Sequence, residues 1–105
     1  MANERDRVLS MLGMAARAGK VVSGEFAVEQ NVKNQKATLV FVAVDASENT
    51  KKMFHDMCAF YQTKMLVYGT KEALGQAIGK EFRASVAVLD QGFADAIEKL
   101  TDQKR

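Results

Sequence analysis

A chain of 105 residues that is 48% apolar is long enough for one hydrophobic core and too apolar to stay unfolded, so a single domain spanning residues 1–105 is expected. Lys and Arg number 15 against 13 Asp and Glu, a net charge of +2 that is mildly basic and by itself says little about a nucleic-acid partner. The single cysteine, Cys58, excludes an internal disulfide and suits a reducing cytoplasm, and no apolar run approaches the length that crosses a bilayer.

The opening Met-Ala-Asn-Glu-Arg-Asp-Arg carries both signs of charge with no apolar stretch behind it, so no secretory leader is expected. Asn3 can cap a first helix running to about Ala18, with Val8, Leu9, Leu12, Ala15 and Ala16 on its buried stripe. Gly19 is the stop signal, Val21-Val22 a short β-prone pair, and Ser23-Gly24 the start of a second helix to about Asn34 that buries Ala27, Val28 and Val32. Thr38 to Val44 is a continuous run of β-formers, too short for a good helix and too apolar for a half-exposed strand, which predicts a central strand buried on both faces. Asp45-Ala46-Ser47 is a loop and helix cap, followed by Met53, Phe54, Met57, Cys58 and Tyr61 at helical spacing.

Lys64 to Tyr68 is expected as a second buried strand. Gly69-Thr70 caps a short helix carrying Leu74, Ala77 and Ile78 that stops at Gly79. Lys80 to Arg83 is a loop and Ser85 to Leu89 a strand. Asp90 caps a last helix with Phe93, Ala96, Ile97 and Leu100 inward, and the tail 101–105 frays. Strands alternating with helices predict a three-layer α/β/α sandwich.

The start of the second helix presents free backbone N–H groups with a partial positive charge, with Lys20 just upstream and Gln30 and Lys33 further along the helix. A phosphate-bearing partner suits such a corner. Arg17, Lys20, Lys33 and Lys36 against an acidic end segment of Asp90, Asp95, Glu98 and Asp102 predict one cationic face, or ordinary solvated surface.

Catalysis has little support. His55 and Cys58 are three apart on a helix, but no further Cys or His completes a metal set, and Cys58 falls on the apolar stripe as a small hydrophobe. Asp45 and Glu48 sit at a helix start, where capping explains them. Gly13, Gly19 and Gly24 do not have G-x-G-x-x-G spacing, and Gly69-Thr70-Lys71 inverts the order of a P-loop. Phe82, among Lys80, Glu81 and Arg83, either tucks into the core or stacks on an unpaired base, and Phe26 poses the same choice.

Leu12-Gly13-x-Ala15-x-Arg17-Ala18-Gly19-Lys20 with Ser23-Gly24, Leu39-Val40 through Asp45-Ala46, and Thr70-Lys71-Glu72-x-Leu74-Gly75-x-Ala77-x-Gly79 stand in register over about residues 4–100. Together they resemble the kink-turn-binding ribosomal protein family, the L-seven-Ae and L-thirty-e group, and its short bacterial YlxQ-like branch in particular. The resemblance implies a four-stranded mixed sheet between helical layers, and RNA binding without catalysis in a ribosomal or ribosome-associated protein. It implies that Gly24, Glu25, Phe26, Ala27 and Gln30, with Lys20 nearby, enter the groove of a sharply bent RNA. Ser47 and Lys71 would then flank a flipped-out base, covered by Lys80, Glu81, Phe82 and Arg83.

The chain departs from that pattern where archaeal members carry an Asn, a Glu and a Lys that bond guanine edges and a phosphate. Here Phe26 only stacks or wedges, Ala27 reads nothing, and Gln30 hydrogen-bonds without charge. A lost base contact costs about 1–3 kcal/mol, so two such losses weaken binding about a hundredfold. The expectation is therefore a cytoplasmic, non-enzymatic protein without cofactor or metal, monomeric when free, that binds structured RNA such as ribosomal RNA. Lys20, Lys33, Lys71 and Arg83 would supply affinity, and Glu25, Gln30 and the Phe82 loop specificity. Ribosomal or RNA-processing proteins are further expected partners, and no membrane is. The alternative is a protein-interaction module on the same scaffold, with Phe26 and Phe82 as anchors.

Overall fold

A computed structural model describes residues 6–103. Asp6 opens the first helix, α1 (Arg7–Arg17), its carboxylate accepting from the Leu9 amide at 3.0 Å. Asn3, the expected cap, lies outside the described residues, as do 104 and 105 of the tail. The Tyr68 hydroxyl donates to both oxygens of the same Asp6 carboxylate at 3.0 Å, fixing the start of α1 to the body of the protein.

Helix α1 closes as its sequence predicts. Gly19 takes φ +75°, and the amides of Gly19 and Lys20 fold back onto the carbonyls of Ala16 and Ala15 at 3.0 and 2.9 Å. The chain then passes through strand β1 (Val21–Ser23) into helix α2 (Glu25–Lys33). Gly24 is the residue before α2, at φ 93°, and no side chain caps this helix. Ser23, expected as that cap, is instead the last residue of β1, paired with Val86, so its hydroxyl faces elsewhere.

Strand β2 (Leu39–Val42) leads to helix α3 (Glu48–Tyr61), capped by Ser47, which accepts from the Thr50 amide at 3.1 Å. Strand β3 (Lys64–Val67), helix α4 (Lys71–Ala77), strand β4 (Ser85–Val88) and helix α5 (Gln91–Gln103) follow. Thr70 caps α4 through the Ala73 amide, and the Asp90 carboxylate accepts from the Phe93 amide at the start of α5, each at 3.0 Å. Residues 101–103, expected to fray, instead belong to α5, which continues to Gln103.

The sheet order is β1-β4-β2-β3, with β2 and β3 parallel and β4 antiparallel to both its neighbours. This is the expected four-stranded mixed sheet. Helix α1 packs with both α4 and α5, α2 packs with α3, and the sheet lies between the two groups as a three-layer sandwich. Central β2 and β4 are buried along their whole lengths, which their apolar runs predict.

Strand β3 corrects the sequence reading. It lies at the sheet edge with Lys64 and Val67 exposed, because among the described residues only β2 hydrogen-bonds to it. A run such as Met-Leu-Val fits an edge as well as a centre, and the charge at Lys64 is one way that edge strands are kept from pairing further. The core gathers Val8, Leu12, Val28, Val32, Val40, Phe41, Phe54, Leu74, Val86 and Ile97, all without exposure.

Candidate nucleic-acid interface

Both β1 and β2 are antiparallel to β4, so β1, β2 and β3 all run the same way and end at one edge of the sheet. Each is followed by a helix. The starts of α2, α3 and α4 therefore gather at that edge, where unpaired helical N–H groups leave a partial positive charge. Strand β4 enters at the same edge, after the loop of residues 80–84. Crevices outside the carboxyl ends of parallel strands are where open α/β sheets bind ligands.

Hydrogen bonds join these tips. The Gly24 amide donates to the Ser85 carbonyl at 3.1 Å, and Arg83 Nε donates to Ser23 Oγ at 3.0 Å. The Arg83 amide donates to the Lys71 carbonyl at 3.0 Å, and the Lys71 amide donates to Asp45 Oδ1 at 2.8 Å. Ser23, Gly24, Lys71 and Arg83 are thereby brought together, with Ser47 one short loop beyond Asp45 at the cap of α3.

The loop from Lys80 to Arg83 is seated on α4. Gly75 faces it so closely that a Cβ there would overlap the Glu81 carbonyl, and the Lys80 amide donates to the Gly75 carbonyl at 2.8 Å. A mid-helix glycine is costly in isolation, and this close approach is its reason. With Glu81 pressed against the helix, Phe82 is turned outward and is 67% exposed. Phe26, in the first turn of α2, is 76% exposed. Both aromatics are thus on the surface rather than in the core. Gln30 is exposed one turn beyond Phe26, Glu25 is exposed beside it, and Ala27 is half-buried with its carbonyl taken by the Asn31 side-chain amide at 2.9 Å.

Two expected members stand apart. Lys20 precedes β1, at the opposite end of that strand from Ser23, and its carbonyl accepts from the Leu89 amide at 2.8 Å. A three-residue strand, about 10 Å long, separates it from the tip. Lys33 closes the far end of α2 and pairs with Glu29 at 2.7 Å, a hydrogen bond that raises the lysine above its ordinary pKa. The strand and the helix carry these lysines away from the corner.

Nor is the edge simply cationic. Lys71, Lys80 and Arg83 share it with Glu25, Asp45, Glu48, Glu72 and Glu81, and Lys51 is paired with Glu48 at 3.5 Å. Acidic side chains favour helix starts, so three converging starts bring carboxylates with them. The uncapped start of α2 adds a partial positive charge through its backbone amides.

Other polar groups give no reactive set. Cys58 is buried, and desolvation pushes its thiol up to about 11, while His55 is exposed and sits beside Asp56. The two residues face apart, and among the described residues no cluster of three or more His, Cys, Asp or Glu could hold a metal. Sequence reasoning placed Asp45 at the start of α3, whereas it caps α4 across the edge; nothing local to its sequence signals this.

Comparison with known proteins adds an independent line. The model of the ribosomal protein L7Ae/L30e/S12e/Gadd45 family matches residues 6–98. The chain is 46% identical over 92 residues to the RNA-binding protein YlxQ of Bacillus subtilis, covering 88% of this chain and 92% of that one. A protein of unknown function from Bacillus halodurans has a solved structure that superposes with a TM-score of 0.87 at 42% identity, over 90% of this chain and 96% of its own. The Giardia lamblia 15.5kD RNA binding protein shares the fold, with a TM-score of 0.74 at 22% identity over 90% and 84% of the two chains.

Proposed function

The chain belongs to the ribosomal protein L7Ae/L30e/S12e/Gadd45 family, and from that membership we propose that it is a non-catalytic RNA-binding protein that recognises a kink-turn or internal-loop RNA. The observation that carries this reading is the juxtaposition of the α2 tip with the Phe82 loop, joined through Arg83 and Ser23. In this reading the amides after Gly24 meet the phosphate backbone of a bent RNA, and Phe26 wedges against its bases with Gln30 and Glu25 beside it. Ser47 and Lys71 flank an unpaired base that Phe82 covers, with Lys80, Glu81 and Arg83 forming the rest of the loop. Aromatic stacking is how proteins hold unstacked bases. Lys20 and Lys33 fall outside the binding set. Ribosomal RNA is the natural target, in the cytoplasm, with the chain monomeric when free.

Filter binding to a kink-turn RNA and to a straight duplex of equal length tests this. The kinked RNA should bind more tightly, and Phe82→Ala should weaken it by about 1–3 kcal/mol while leaving the duplex unchanged. Equal affinity of the wild-type chain for both RNAs would reject shape-specific recognition.

The same exposure of Phe26 and Phe82 favours a second reading, in which they anchor a protein partner. Absorbance near 260 nm that travels with the purified protein and is removed by nuclease supports RNA; its absence together with a retained protein partner supports the second.

A further inference from the structure

We propose that Asp45 is a positioning residue for this interface, the anchor of a hydrogen-bonded strap that sets the spacing between the α2 tip and the Phe82 loop. The proposal rests on the RNA-binding reading above. Asp45 Oδ1 takes the Lys71 amide, the Lys71 carbonyl takes the Arg83 amide, and Arg83 Nε reaches Ser23 Oγ, at 2.8, 3.0 and 3.0 Å. These links cross the ends of β2, β3, β4 and β1 in turn, so they connect three helix starts that the sheet alone leaves side by side.

Arg83 has a part in this that differs from a phosphate contact. Its Nη1 donates to the Phe82 carbonyl at 2.9 Å while its Nε holds Ser23, so the guanidinium bridges the loop to the end of β1. A fork with two fixed donors can do this and an ammonium on a flexible stem cannot. Asp45 itself is exposed and its carboxylate would repel RNA, yet it points its acceptor at an amide that α4 leaves without a partner in its own first turn. Its contribution is to hold the Phe82 side chain in place before RNA arrives, which removes ordering cost from binding.

Hydrogen exchange on the RNA-free chain and filter binding with kink-turn and straight RNA test the strap on Asp45→Ala, Asp45→Asn and Arg83→Lys. In Asp45→Ala the Arg83 and Lys71 amides should exchange about fivefold faster, as one hydrogen bond of about 1 kcal/mol allows, while the core amides of Val40 and Val86 stay protected. Affinity for the kinked RNA should fall by a similar factor with the duplex unchanged. Asp45→Asn keeps an acceptor for the Lys71 amide and should retain both protection and kinked-RNA affinity, whereas Arg83→Lys keeps the charge and should lose affinity.

Unchanged exchange at Arg83 in Asp45→Ala overturns the strap whatever the RNA does. Kinked-RNA binding that Asp45→Ala leaves intact, or that Arg83→Lys preserves in full, overturns the positioning role. A wild-type chain that fails to prefer the kinked RNA, with exchange responding as expected, counts against the RNA reading and leaves the strap as a feature of the free protein.

Discussion

At Gly75 the missing side chain lets the Glu81 carbonyl rest on the surface of α4. Alanine there must push backbone aside, since neither the helix nor a short loop held at both ends can yield locally. Gly75→Ala should therefore destabilise the chain by about 1–3 kcal/mol despite its better helix propensity, measurable by urea unfolding, and should also weaken kinked-RNA binding by displacing Phe82. A stabilised Gly75→Ala chain would mean that the loop is not seated as described.

Two other residues tie stability to pH. Burial raises Cys58 from 9.0 to about 11, and burial together with the Asp6 hydrogen bonds raises Tyr68 from 10.0 to about 12. Both hold their protons more tightly when folded, so their contributions are whole below the unfolded values and decline as pH rises through 9.0 to 11 for Cys58 and 10.0 to 12 for Tyr68. In Cys58→Ala the earlier decline should disappear, leaving the later one; a decline that starts equally early would contradict the assignment.

Among the elements, α4 shows most directly how neighbours hold a helix that could not stand alone. Its seven residues are far below the length at which isolated helices persist. It is held by the Thr70 hydroxyl on Ala73, the Asp45 carboxylate on Lys71 and the buried Leu74. Thr70→Ala should cost about 1 kcal/mol, and if the two caps cooperate, the double variant with Asp45→Ala should cost less or more than the sum of the singles. Strict additivity in urea unfolding would show that they act independently.

The local half of this architecture was legible in the chain. Gly19 and Gly79 marked helix ends, Ser47, Thr70 and Asp90 marked starts, and the apolar run at Thr38 to Val44 marked a buried strand, which the structure confines to Leu39–Val42 with Val44 exposed. What escaped depended on partners distant in sequence. Ser23 reads as a cap until Val86 pairs with it, Met65-Leu66 reads as central until no further strand follows β3, and Asp45 reads as belonging to α3 until Lys71 folds against it. For the candidate site, the sequence leaves the exposure of Phe26 and Phe82 open because no periodicity governs a loop aromatic or a first-turn residue.

For the whole molecule, the mixture of charges at the shared edge limits how RNA binding can respond to salt. With Arg83 engaged by Ser23 and the Phe82 carbonyl, Lys71 and Lys80 allow about two neutralised phosphates and a log–log salt slope of magnitude about 1–2. Filter binding across a range of potassium chloride should give that value, and a slope twice as steep would require lysines elsewhere, such as Lys20, to take part. Because β1, β2 and β3 all point one way, the starts of α2, α3 and α4 and the Phe82 loop project from the same end while the packed layers sit behind it. A library that randomises residues 25, 26, 30 and 82 would thus alter exposed positions alone, and selection from it could retarget the molecule to new RNAs without rebuilding its interior.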